Sequence, residues 1–390
     1  MNLFLFTLIL FVGSSVASYF LLRWIEILWK KLGLLDRPHL YKSERWRKPV
    51  PYSAGVCILL MLLIMSPIVF LYGDLSSLLL KRFFIVLIIG VCITIVSFLD
   101  DMDTIGKLPF SIPPIVRLLM QVLVGAIIGF TSIKISYISQ FFGWVTRLDD
   151  LYITFTPSDW NWFLYNIHLL NYFQFPSVTI ILYYFPLLVT IIWYVVVFNA
   201  VNFSDGIPGL TWGFSLITFI ILGWLALKLY FTDITEASQE NSRFLLMILA
   251  IIIPATYLLT RADIARRVIM WDSGTIMLAF LIATLSIIAG GKVATAISVL
   301  GIYLIDFVHV ITSRILKGKN PMKWDQSMHL HFRLLELGLS QGQIRTIIYT
   351  LTAFFGISAI FLDTGGKIIL IGFIAFVSIF LAEILAAIKK

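Results

Sequence analysis

Asp100 and Asp101 stand side by side at the end of a long apolar run. Neighbouring carboxylates repel, so such a pair is expected to share a metal or to hold a proton. Asn199 and Asn202 are one helical turn apart and would share a face. Asp205 follows three residues on, where Gly206, Pro208 and Gly209 end the helix. These oxygen donors suit a hard cation such as Mg²⁺, although helix capping with a glycine stop would use the same residue types. Asp272 heads another apolar run, followed by Ser273 and Gly274, and is either a further acid of the site or an N-cap. His329, His331 and Arg333 alternate, so an extended segment would put all three on one side, suited to a pyrophosphate. Taken together, these groups describe a site where a metal and cations offset the charge of a diphosphate and of a leaving phosphate.

The elements that must position these residues are membrane helices. Of 390 residues, 60% are hydrophobic, more than a water-soluble fold of this length can hide. Apolar runs of about 20 residues mark eleven spans, at roughly 3–24, 50–72, 82–99, 115–130, 179–198, 211–229, 244–260, 275–290, 293–313, 345–361 and 368–387. The fold expected is an all-α polytopic membrane protein, a single domain over 1–390 with an extracytoplasmic insertion at about 131–178. Orientation follows from lysine and arginine. With the N-terminus outside and the C-terminus inside, the basic 30–48, 261–267 and 314–345 segments all fall inside, while 131–178 holds only Lys134 and Arg147. Every chemical cluster then faces the cytoplasm. The net charge of +8 is thus a topology signal, and a nucleic-acid partner, which needs a basic stripe on a soluble surface, is excluded. Cys57 and Cys92 both lie within spans, so no disulfide framework or zinc site is implied. The first run has no basic segment before it and is read as a retained helix. In 131–178, alternating and aromatic residues suggest a hairpin or an interfacial helix, with Trp160 and Trp162 at headgroup level.

In this order the motifs resemble those of the polyprenyl-phosphate N-acetylhexosamine-1-phosphate transferases (glycosyltransferase family 4). The resemblance runs from about Leu32 to Tyr349. Leu32 to Pro38 and Pro49 to Gly55 resemble the family's first cytoplasmic loop, and Phe98 to Asp101 with Arg117 and Gln121 its Asp-Asp motif. Asn199 to Gly206 resembles its most recognisable motif, and His329 to Leu335 the His-rich loop of the GlcNAc-1-phosphate branch rather than of the MraY translocases. The resemblance implies a reaction: a UDP-HexNAc and polyprenyl phosphate give polyprenyl-diphospho-HexNAc and UMP at the inner (plasma) membrane. It implies Mg²⁺, with Mn²⁺ as a substitute, and Asn202 and Asp272 as ligands. Asp100, Asp101 and Asp272 become the candidate catalytic acids. Candidate substrate-binding residues are Lys48, Arg117, Asn199, Asp205, Gly206, Trp271, His329, His331 and Arg333. A homodimer is also implied.

Several positions depart from the family pattern. Trp271 stands where a glycine usually precedes Asp272, Pro208 where a second Asp is common, and Phe332 where a histidine is usual. Ile269 occupies the usual place of an aromatic that stacks on uracil, so Trp271 is the candidate replacement. Two other readings stay open. An ion-coupled secondary transporter also carries intramembrane acids and broken helices, and a catalytically inactive scaffold of the same family would share the motifs.

Overall fold

The computed structural model describes residues 2–38, 48–52, 54–109, 112–141, 144–147, 184–233, 235–289, 293–318 and 329–388. Within them the chain forms α1 (Leu3–Leu32), α2 (Val56–Tyr72), α3 (Ser77–Thr104), α4 (Pro114–Gly129), β1 (Tyr137–Phe141), β2 (Trp144–Arg147), α5 (Phe185–Phe203), α6 (Leu210–Thr232), α7 (Glu236–Ile264), α8 (Trp271–Ile288), α9 (Val293–Leu316), α10 (Leu330–Glu336), α11 (Gln341–Phe361) and α12 (Thr364–Ile388). Each of the eleven apolar runs falls on one of these helices, and α10 is the addition. Eight helices are long and apolar enough to cross a bilayer, while α2, α4 and the apolar part of α12 are shorter. This is a multi-pass membrane protein. The all-α expectation is corrected at one place. β1 and β2 form an antiparallel hairpin, Tyr137 opposite Arg147, in the insertion where a hairpin was one of two options. Trp160 and Trp162 lie outside the described residues.

The centre of the molecule is α8. It is apolar on every side, so it has no stripe to turn toward water or lipid. Thr275 and the run Leu278 to Ala283 are fully buried, packed among α2, α3, α5, α6 and α9. Two polar contacts anchor it to α5: Thr284 Oγ1 lies 2.7 Å from Tyr194 Oη, and Trp193 Nε1 donates to the Ala283 carbonyl at 3.2 Å. The periphery shows the reverse. On α1, Leu5, Leu8, Phe20 and Trp24 are exposed among the described residues, a face suited to lipid.

The connection between α1 and α2 sets the entry to α8. Gly33, at φ 65°, ends α1 by donating to Lys30 O while Leu34 N–H bonds Trp29 O, a left-handed stop. The chain then pairs antiparallel across Leu35 and Pro51. Buried Asp36 holds this pairing by accepting from Val50 N–H at 2.8 Å. Ile269 N–H bonds Pro51 O and Ala54 N–H bonds Ile269 O, so the α1–α2 connection grips the segment just before α8. Gly55 lies directly on the Ser273–Gly274 backbone, and a Cβ there would collide with it. That close approach is what lets α2 and α8 start side by side.

Candidate active site

Consecutive residues on a helix point about 100° apart, and α3 uses this to separate its two acids. Asp101, fully buried, accepts from Asp272 N–H through Oδ1 at 3.1 Å and from Ser273 N–H through Oδ2 at 3.2 Å. It satisfies two of the unpaired N–H groups that open α8, where the helix dipole favours an anion. Asp101, not Asp272, is therefore the cap of α8. Asp100 turns to Arg117 on the first turn of α4, whose Nε and Nη2 lie 2.9 Å from its two carboxylate oxygens. Arg117 Nη1 continues to Asp272 Oδ2 at 3.3 Å. Asp100 and Asp272 are in hydrogen-bonding reach of each other. The pair of acids close enough to share a proton or a cation is thus Asp100 with Asp272, and the sequence neighbours Asp100 and Asp101 are parted.

Trp271 begins α8 at φ 52°, a left-handed conformation that costs a residue with a side chain about 1–2 kcal/mol. This explains why glycine suits the position. The indole packs against Tyr52, ring centroids 5.4 Å apart at 42°, in a cluster with Met102, Ile105 and Ile269.

The end of α5 carries the amides. Asn199 donates to Gln121 Oε1 at 2.6 Å, tying α5 to α4. Asn202 Oδ1 accepts from Thr275 Oγ1 at 3.1 Å, tying α5 to α8. Asp205 accepts the Trp271 N–H. Desolvation at this junction, with Asp263 and then Asp272 nearby, pushes its carboxyl well above the usual carboxylate range. Buried Asp263 in turn accepts from Gly209 N–H at 2.6 Å. From α11, Arg345 donates to Pro208 O at 3.0 Å and Tyr349 Oη to Gly209 O at 2.5 Å. The loop after Asp205 is thus pinned from two sides.

The histidines are not on an extended segment. His329 is extended (φ −74°, ψ 145°), but α10 begins at Leu330. Their rings still lie side by side, 6.1 Å apart and 12° from parallel. His331 is fully buried against Gly206, where any side chain would run into its ring. Burial pushes its pKa down to about 3, and neither ring nitrogen has a hydrogen-bond partner among the described residues. Arg333 turns away. It lines a separate small pocket with His309, Asp306 and Ser378 between α9, α10 and α12. Lys48 is exposed in the later part of the connection between α1 and α2.

One cleft gathers Asp100, Arg117, Gln121, Asn202 and Asp272 above Ser97 and Ile276. Two carboxylates, an amide oxygen and a guanidinium in one half-enclosed space can hold a cation and a phosphate together. Residues 83–290 match the sequence model of glycosyl transferase family 4. The chain belongs to that family. The matched region contains every one of these cleft residues, while His329, His331 and Arg333 lie beyond it.

Among curated family 4 relatives, the chain is 30% identical over 205 residues to a probable undecaprenyl-phosphate N-acetylglucosaminyl 1-phosphate transferase of Bacillus subtilis, covering 50% of this chain and 53% of that one. It is 24% identical to a decaprenyl-phosphate N-acetylglucosaminephosphotransferase of Mycolicibacterium smegmatis, with 48% and 50% covered. A third is an undecaprenyl-phosphate alpha-N-acetylglucosaminyl 1-phosphate transferase of Escherichia coli, 27% identical with 38% and 41% covered. The chain spans about half the length, or less, of the curated relatives it matches. Sequence reasoning missed two acids in this family 4 chain. Asp263 and Asp306 each sit in or at the end of an apolar run, and an acid in such a place is itself a signal of function.

Proposed function

We propose that this protein transfers N-acetylhexosamine 1-phosphate, with GlcNAc as the sugar, from a UDP-sugar to a polyprenyl phosphate of the undecaprenyl type. UMP is the other product, and the reaction is the first membrane step of cell-surface polysaccharide synthesis. The observation that carries this reading is the single cleft in which Asp100, Arg117, Asn202 and Asp272 meet. The activities for which the relatives are named agree with it.

Asp272 and Asn202, which offer a carboxylate and an amide oxygen to the same cleft, would hold a divalent cation, Mg²⁺ or Mn²⁺. When bound, the ion would offset the negative charge of the diphosphate. The remaining work falls to the chain. Asp100, held by Arg117, is the acid that meets the lipid phosphate, as base or as positioner. Asp101 has both oxygens on the backbone of α8 and keeps Asp272 in place. Arg117 offsets the repulsion between Asp100 and Asp272 and presents a cation to an incoming phosphate. Asn199, Asp205, Gly206 and His329 shape the wall that receives the nucleotide sugar, with buried His331 behind Gly206. Lys48 supplies a cation at the rim, while Arg333, which lines its own pocket with Asp306 and His309, stays outside this cleft. Trp271 is the candidate platform for uracil. Eleven spans with the N-terminus outside, in the plasma membrane, bring this cleft to the side where nucleotide sugars are made. The test is a panel of UDP-sugars with undecaprenyl phosphate and the purified protein. UMP release with one UDP-HexNAc, abolished by EDTA, is the expected result, and no UMP from any of them refutes the reading.

A further inference from the structure

Asp306 lies on α9 within an apolar run, and its two oxygens are spent on two consecutive residues at the start of α10. Oδ1 accepts from Leu330 N–H at 3.0 Å, and Oδ2 lies 2.9 Å from His329 Nδ1. Both side chains are nine-tenths buried, at 10% and 6% exposure, so little water competes for these contacts. A carboxylate only accepts hydrogen bonds, and a neutral imidazole carries one proton that must sit on one nitrogen or the other. Beside Asp306 that proton belongs on Nδ1, which leaves Nε2 as the acceptor of the ring. His329 is also fixed in position. Its ring lies 5.0 Å from that of Phe203, the residue after Asn202, and beside His331, which rests on Gly206.

We infer that Asp306 is a positioning residue. It sets the ring plane and the Nδ1–H tautomer of His329, so that Nε2 is the atom His329 offers to the nucleotide sugar. The last clause rests on the function proposed above; the tautomer does not. Asp306 performs two tasks that one substitution separates. In Asp306→Asn the amide oxygen still accepts from Leu330 N–H and keeps the start of α10. The amide nitrogen can only donate to Nδ1, which forces the proton to Nε2 and reverses what the ring offers. Asp306→Ala loses both contacts.

The experiment uses the full chain in lipid bilayers, labelled with ¹⁵N-histidine. The protein has five histidines, and His329→Gln assigns the signal of interest. Nitrogen shifts report directly which ring atom is protonated. The expected wild-type result is a proton on Nδ1 of His329, moved to Nε2 in Asp306→Asn. That variant should melt like the wild type while kcat/KM for the UDP-HexNAc falls at least ~10-fold, the scale of losing a group that orients a functional histidine. In a His329→Gln background, Asp306→Asn should cause no further loss. A wild-type ring with its proton on Nε2 alone overturns the proposal. So does a reversed tautomer with unchanged kcat/KM, or a full additional loss without His329. Should Asp306→Asn fail to fold, the wild-type spectrum still decides the tautomer. Should wild-type protein release no UMP, the functional reading fails while the tautomer is judged separately.

Discussion

Asp101→Asn separates the two neighbouring acids most sharply. The carboxylate holds Asp272 N–H and Ser273 N–H at 3.1 and 3.2 Å, long for charge-assisted bonds, so each is worth the lower end of the usual range, about 1.5 kcal/mol. An asparagine keeps one as a neutral bond of about 1 kcal/mol and turns an NH₂ toward the other N–H. Two buried donors then face each other, at a cost of about 1–3 kcal/mol, and the helix loses an anion at its N-terminus. The sum is about 3–5 kcal/mol even before the dipole is counted, well above the usual ~1 kcal/mol of a single substitution. Thermal unfolding of the purified protein in detergent should show a clearly lowered midpoint for Asp101→Asn. Asp100→Asn should melt close to wild type, because Arg117 still reaches Asp272, yet it should be far less active. A midpoint drop in Asp101→Asn under about 1 °C, less than roughly 1 kcal/mol would produce in a chain of 390 residues, refutes the capping argument, above all if Asp100→Asn is the variant that melts early.

Other expectations follow from the same geometry. Asp272→Asn should lower the rate at least ~10²-fold, as removal of a dominant electrostatic group does, and wild-type turnover should stop in EDTA; full activity in either arm removes Asp272 as a ligand. In a background without Cys57 and Cys92, a cysteine at exposed Glu336 should be labelled only from the cytoplasm and one at exposed Gln239 only from outside; the opposite pattern inverts the topology. Trp271→Gly relieves the left-handed φ and loses the Tyr52 contact, so its stability should stay near wild type. Base stacking is worth about 1–3 kcal/mol, so its KM for the UDP-sugar should rise roughly 5- to 150-fold, and an unchanged KM ends the platform assignment. His331 has a folded pKa of about 3, below its ordinary 6.5. Protonation therefore favours the unfolded chain, and stability should fall as pH drops from 6.5 toward 3; His331→Gln should flatten that limb of a melting-versus-pH curve.

The amino-acid sequence by itself determined where the helices run and which end of each carries the chemistry. Apolar length and the placement of lysine and arginine are local properties, legible residue by residue. The set of acids and amides was legible for the same reason: Asp100, Asn202 and Asp272 are costly in an apolar chain. Which of them act together was not. Adjacent Asp100 and Asp101 look like a pair, but helix phase sends one to Arg117 and the other to the backbone of α8. The true neighbour of Asp100 is Asp272, far along the chain. His329 and Arg333 look like one cationic loop, yet a single turn of α10 delivers them to different sides. Asp306 and Asp263 gain their meaning only from what packs against them. The left-handed φ of Trp271 exists only because α8 must start where α2, α3 and the α1–α2 connection converge. A side chain's partner is set by the direction in which its helix faces and by the helix that fills that space, and both are decided only when the bundle closes around α8.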